Sequence, residues 1–171
     1  MRRVITIVLA AAPSLCGPAM ADWQFTKWGQ SPAEVMSLSK IALKQSTAQE
    51  QADYALPAIR GVPMLNGIYT TEEFKAPVWL YFDHDKLSGV YLRIPDGETA
   101  NLIGGRLSNQ YGAPTDKEHR AADGCERDAK SWNDSKRGNR VRFYWQVCDT
   151  GFQNYVLLYV PLEQSGVDSG L

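Results

Sequence analysis

The segment NRVRFYWQV, residues 139–147, alternates apolar and polar side chains with a period of two. Val141, Phe143, Trp145 and Val147 fall on one side, and Arg140, Arg142, Tyr144 and Gln146 on the other. Extended backbone places alternate residues on opposite faces, so this stretch predicts a β-strand with one face on a core. It also poses a question, because the second face carries arginine and tyrosine rather than the lysine, glutamate and threonine of a merely solvated surface.

Other segments repeat the pattern. PVWLYFD (77–83), SGVYLRI (88–94) and QNYVLLYV (153–160) read as strands, with GIYTTEEF (67–74) and KSWND (130–134) beside them and Asp83-His84-Asp85-Lys86 as a turn. Alternation assigns Val78, Leu80, Phe82, Val90, Leu92, Ile94, Val156, Leu158 and Val160 to the core face with the four residues above. The opposite face then carries Trp79, Tyr81, Tyr91, Arg93, Arg140, Arg142, Tyr144, Tyr155, Leu157 and Tyr159.

Two helices are predicted. In SPAEV, Ser31 is an N-cap, Pro32 occupies the first helical position, where no N–H is needed, and Glu34 completes a capping box. Val35, Leu38, Ala42 and Gln45 share a face, so this helix is expected to run on toward a polar end and loop over 44–53. The second runs from about Glu98 to Tyr111, with Ala100, Ile103, Leu107 and Tyr111 on one face, and Gly112 and Pro114 stop it. Gly104-Gly105 inside it costs about 1 kcal/mol per glycine relative to alanine, which a close helix–sheet approach would account for. Residues 112–130 read as a loop.

These elements predict an α+β domain: an antiparallel sheet with helices packed on one face, arranged as two tandem helix-plus-three-strand halves, about 28–95 and 96–162. Residue identity between the halves is poor, and a plain α+β domain without duplication is the alternative.

The chain opens MRRVITIVLAAAPSLCGPAMADW: a basic start, an apolar run from Val4 to Ala12, and Ala19-Met20-Ala21 as a small-residue cleavage site. That pattern predicts a secretory signal peptide, 1–21, cut after Ala21, and a periplasmic or secreted protein. A lipidated Cys16 and a twin-arginine signal at Arg2-Arg3 are the weaker readings. The apolar run is shorter than the roughly 20 residues of a membrane span. Without 1–21 the chain has 16 basic and 19 acidic side chains. It lacks a basic block, so neither nucleic acid nor an anionic membrane surface is an expected partner. Cys125 and Cys148 remain, and in an oxidising compartment two cysteines pair, with two free thiols as the alternative. The domain is expected over 22–162, with a loose polar tail at 163–171.

WGQSPAEV, followed by FDHDKLSGVYL and LSNQYGAP, resembles small exported bacterial domains of unknown function. The order of helix then antiparallel strands is similar to outer-membrane assembly lipoproteins of the SmpA/OmlA kind, and a doubled version resembles β-lactamase inhibitor proteins. The resemblance implies protein binding without catalytic residues or cofactor.

The aromatic and arginine face carries the functional expectation. Tyr, Trp and Arg are the residues that concentrate where proteins dock, because rigid rings bury much area with few rotamers to freeze. The chain is therefore expected to be a non-enzymatic, inhibitor-like binding module for an envelope protein. Trp79, Tyr81, Tyr91, Arg142 and Tyr144 would be its anchors, joined by Arg93, Tyr155 and Tyr159. Two plainer readings stand beside it: a structural tyrosine ladder, or a face covered by 112–130 or by 52–66. A small-ligand or glycan receptor using the same rings is the alternative function. Catalysis has weaker support: Asp83-His84-Asp85 sits in a turn that cannot surround a metal, Glu72-Glu73 is a chance-level carboxylate pair, and no nucleophile elbow or phosphate loop is present.

Overall fold

Ser31 caps its helix as its neighbours require. In the computed structural model, which describes residues 22–164, its hydroxyl accepts the Glu34 backbone N–H and the Glu34 carboxylate accepts the Ser31 N–H at 2.7 Å. The helix it starts, α1 (Pro32–Leu38), is short. Ser39 turns to extended backbone at ψ 132 and its hydroxyl takes the Ile41 N–H. The chain then enters an edge strand where helix was predicted. A two-stranded ribbon, β1 (Asp22–Trp23) with β2 (Thr26–Lys27), precedes α1, and β3 (Leu43–Gln45) and α2 (Ala48–Asp53) follow it. Next come β4 (Val62–Thr70), β5 (Lys75–Asp83), β6 (Lys86–Ile94) and α3 (Gly97–Tyr111). The chain continues through β7 (Asp116–Ala122), β8 (Cys125–Asp134), β9 (Asn139–Cys148) and β10 (Gln153–Pro161) to a 3-10 turn, Leu162–Gln164. The expected signal peptide, 1–21, and residues 165–171 of the expected tail lie outside the described residues.

The expectation of an α+β fold in two helix-plus-three-strand halves is overturned. Of the described residues 49% lie in strands and 21% in helices, and strands β3 to β10 form one antiparallel sheet in the order β3-β4-β5-β6-β10-β9-β8-β7. Two local features account for the error. The first is the early end of α1. The second is the stretch 112–130, read as a loop because DKEHRAA has no apolar alternation; its residues 116–122 form an edge strand hydrogen-bonded along its length to β8. The turn between β7 and β8 is Asp123-Gly124, both with positive φ (55° and 68°), the geometry of a type I′ hairpin. The last described strand, β10, lies in the middle of the sheet between β6 and β9, so the runs β3–β6 and β7–β10 share one continuous sheet.

The main core fills one face of this sheet. Leu65, Val78, Leu80, Phe82, Val90, Leu92, Ile94, Val141, Phe143 and Leu157 meet Ala100, Ile103 and Leu107 of α3 and Val35 of α1, all at 6% exposure or less. Asp96 caps α3 by accepting the Thr99 N–H at 2.8 Å, and Gly112, at φ 78, ends it. Trp28 Nε1 donates to the buried Asn139 side chain at 2.8 Å, fastening the N-terminal segment to the start of β9.

One strand is turned over relative to expectation. Tyr155, Leu157 and Tyr159 face the main core, and Val156 and Leu158 face the other way. YVLLYV is apolar at every position, so alternation does not discriminate; pairing decides, with Leu157 opposite both Leu92 and Phe143.

Candidate functional site

The second face of the sheet divides into a covered part and an open part. Over β5 and β6, the segment that follows α2 lies across the aromatic side chains. Tyr54 stacks on Trp79 with ring centroids 3.8 Å apart, and Trp79 meets Tyr91 edge-on at 5.4 Å. The Tyr81 hydroxyl donates to the Tyr54 carbonyl, and Ser88 donates to the Arg60 carbonyl at 2.6 Å. Ile59 packs into the space above Gly89, where a Cβ would stand 2.3 Å from its Cγ2 atom. Trp79, Tyr81 and Tyr91 are consequently 7%, 0% and 7% exposed. Burial pushes the Tyr81 phenol far above its ordinary range, and burial raises Tyr91 as well. These three expected anchors form a second core, covered by part of the 52–66 stretch. Aromatic content alone does not distinguish a docking face from a core face, and the cover is distant in sequence.

The other expected residues are dispersed. Tyr155 and Tyr159 lie on the opposite side of the sheet, and burial raises the Tyr159 phenol. Arg93 is exposed on the second face of β6, opposite Val156. Arg142 and Tyr144 are also on this face but are buried, at 7% and 9% exposure.

Beyond the cover, β9, β8 and β7 present a polar lattice. Arg140 reaches across β8 to Asp116 at 3.6 Å, and one step along, Arg142 grips Glu118 through two hydrogen bonds of 3.0 Å. At the next step β7 supplies Arg120, in register with Arg127 of β8 and Gln146 of β9, so the ladder of cross-strand ion pairs stops there. Arg127 of β8 stands directly opposite Arg120. Arg120, Arg127, Arg142, Glu118 and Tyr144 line a depression of about 160 Å³. Burial raises the Tyr144 phenol, against the opposing pull of Arg127 and Arg142. The Tyr144 hydroxyl donates to Gln146 at 2.9 Å. Glu118, Arg120 and Arg127 escaped the sequence analysis because they fall in 112–130; Asp123-Gly124 was the signal that would have placed them on a hairpin.

A third feature lies on the main-core side. Between α3 and the sheet runs a groove of about 400 Å³, lined by Asn101, Gly104 and Gly105 on the helix and by Lys130, Trp145 and Tyr155 on the strands. A Cβ at Gly104 would meet the Phe143 ring at an ordinary 3.5 Å, and one at Gly105 would meet nothing within 4 Å. Close helix–sheet packing therefore does not explain the glycine pair; the groove follows the bare side of the helix.

The weak catalytic candidates are not assembled. His84 is 93% exposed at a turn, 2.8 Å from Asp83, and Glu73 is engaged by Arg106. Among the described residues no group of three His, Cys, Asp or Glu side chains converges as a metal site, and no helix is long and apolar enough to cross a membrane. Cys125 and Cys148 are bonded and directly opposite on β8 and β9. Comparison with known protein families, curated proteins and solved structures finds no match to this chain.

Proposed function

We propose that this chain is an exported, non-enzymatic binding module that engages an envelope protein through the uncovered part of its second sheet face. The supporting observation is the charge there: the second-face positions of β7, β8 and β9 carry Arg120, Arg127, Arg140 and Arg142 against Asp116 and Glu118, with Asp128 also at the depression, in a chain whose net charge is −1. Arginine is weakly hydrated for a cation and forms directional, paired hydrogen bonds, which suits it to desolvated interfaces. Arg93 extends the positive surface toward the covered aromatics. The test is cross-linked affinity capture from native envelope extract, comparing the wild type with Arg93→Glu/Arg140→Glu. Arg93 is exposed, whereas Arg140→Glu gives up the ion pair with Asp116, so circular dichroism checks that the variant stays folded while it loses the captured protein. Identical captures, or none with the wild type, would sink the reading.

A second reading, a small-ligand or glycan receptor, is favoured by the groove beside α3, where Trp145 and Tyr155 present half-buried rings. Its mark is a saturable change in tryptophan fluorescence on adding cell-wall fragments, abolished by Trp145→Ala.

A further inference from the structure

We infer that the depression between Arg120, Arg127 and Tyr144 is a pocket for a carboxylate side chain of the protein partner. This deepens the binding-module reading and rests on it. The ion-pair ladder sets the pattern. On the first two rungs an arginine of β9 meets a carboxylate of β7: Arg140 with Asp116, then Arg142 with Glu118. On the third rung β7 supplies Arg120 instead. That places Arg120 directly across from Arg127, and like charges opposite one another on paired strands repel. Among the described residues no carboxylate lies within ion-pair distance of either guanidinium. Glu118 is held by both of its oxygens on Arg142, and the Asp128 carboxylate sits 3.3 Å from His119. Arg127 is partly tethered, donating to the Ala122 carbonyl at 3.4 Å.

The result is a concave site of about 160 Å³ lined by Arg120, Arg127, Arg142 and Tyr144, whose two carboxylates are already engaged, Glu118 on Arg142 and Asp128 beside His119. An incoming carboxylate completes the third rung with the chemistry of the first two. It accepts from Arg120 and Arg127 and relieves their repulsion. Rigid positioning comes from below: Arg127 is two residues from the Cys125–Cys148 bridge, and Tyr144 is wedged at 9% exposure among Ala129 and Val156.

The experiment is an NMR titration of the purified protein with the blocked peptide acetyl-Gly-Glu-Glu-Gly-amide. The matching glutamine peptide and inorganic phosphate serve as controls. Saturable shifts at the backbone amides of residues 120 and 127, and at their side-chain Nε–H groups, are expected with the glutamate peptide alone. Arg120→Gln or Arg127→Gln each weakens that binding about tenfold, the loss of one charged hydrogen-bonding partner. Both positions reach solvent, and unchanged amide spectra elsewhere check that the variants stay folded. Equal shifts with the glutamine peptide, or saturation by phosphate in preference to the glutamate peptide, overturn the carboxylate assignment. If the peptide does not bind while Arg93→Glu/Arg140→Glu still loses its captured protein, the pocket falls and the docking face survives; if both fail, the binding-module reading falls with it.

Discussion

Tyr81 shows how one side chain changes meaning once its cover is seen. On alternation alone it is an exposed ring on a docking face; in the fold it is fully buried, and its hydroxyl is the hydrogen bond that ties Tyr54, and with it the end of α2, to β5. A net protein hydrogen bond is worth about 1 kcal/mol, and leaving its buried partner unsatisfied costs more. Tyr81→Phe is therefore expected to lower stability by about 1–2 kcal/mol in urea denaturation while leaving partner or peptide affinity unchanged. A loss of affinity at unchanged stability would return Tyr81 to the docking surface. The same contrast explains what was legible at this scale. Arg140, Arg142 and Tyr144 were placed correctly on one face by their own alternation. Their partners Asp116 and Glu118 were not, because an edge strand with every polar side chain exposed has no apolar period to read.

At the scale of elements, the start of α1 was legible because capping is local, with Ser31, Pro32 and Glu34 acting within one turn, whereas α3 was placed by its apolar stripe and its Asp96 cap went unread. Helix α2 was missed, although Thr47 and Glu50 form the same capping box, since its six residues bury no side chain and show no apolar stripe. That cap has a consequence for the cover. Glu50 accepts the Thr47 N–H at 2.8 Å and the Lys44 ammonium at 2.9 Å, joining α2 to β3. These bonds, the backbone one first, hold its carboxyl at about 2 instead of its usual 4.5. The folded pKa is depressed, so the unfolded chain binds the extra proton first as the solution is acidified. The contribution is whole above pH 4.5 and disappears as pH falls through about 2. Because α2 leads directly into Tyr54 and the cover on Trp79, acid should loosen this corner. The thermal midpoint of the wild type is expected to decline more steeply between pH 4.5 and 2 than that of Glu50→Gln. Parallel declines would show that Glu50 does not couple the cap to stability. Glu34 and Asp96 are lowered likewise by backbone hydrogen bonds at their caps, which is why the comparison is made against a single substitution.

For the whole molecule, the order of the sheet matters more than the identity of any strand. Strands β3 to β6 pair as neighbours in sequence, as do β7 to β10, and the two sets meet only where β10 inserts beside β6. Local strand signals carry no information on that pairing, and a chain read one strand at a time therefore looked like two repeats. The outer end of the sheet is the vulnerable one: β7 is exposed along most of its length, its single neighbour is β8, and both arginines of the proposed carboxylate pocket lie on this pair. The Cys125–Cys148 bridge sits at the same end, linking β8 to β9 across a sequence separation of 23. Closing a loop of that size removes chain entropy from the unfolded state worth about 3 kcal/mol. A Cys125→Ala/Cys148→Ala variant should then melt roughly 6–12 °C lower than the wild type, given the size of the domain. Since the bridge clamps one register of β8 on β9, the loss should also be uneven. Amide hydrogens of β7 and the first half of β8 should exchange first, below the melting transition, and those of β5 and β6 should keep their protection until the global unfolding. Binding of the glutamate peptide should weaken together with the early exchange at 120 and 127, because both arginines ride on the frayed hairpin. Uniform acceleration of exchange across the sheet would instead mean that the bridge stabilises the fold as a whole and that the hairpin holds its arginines in place without it.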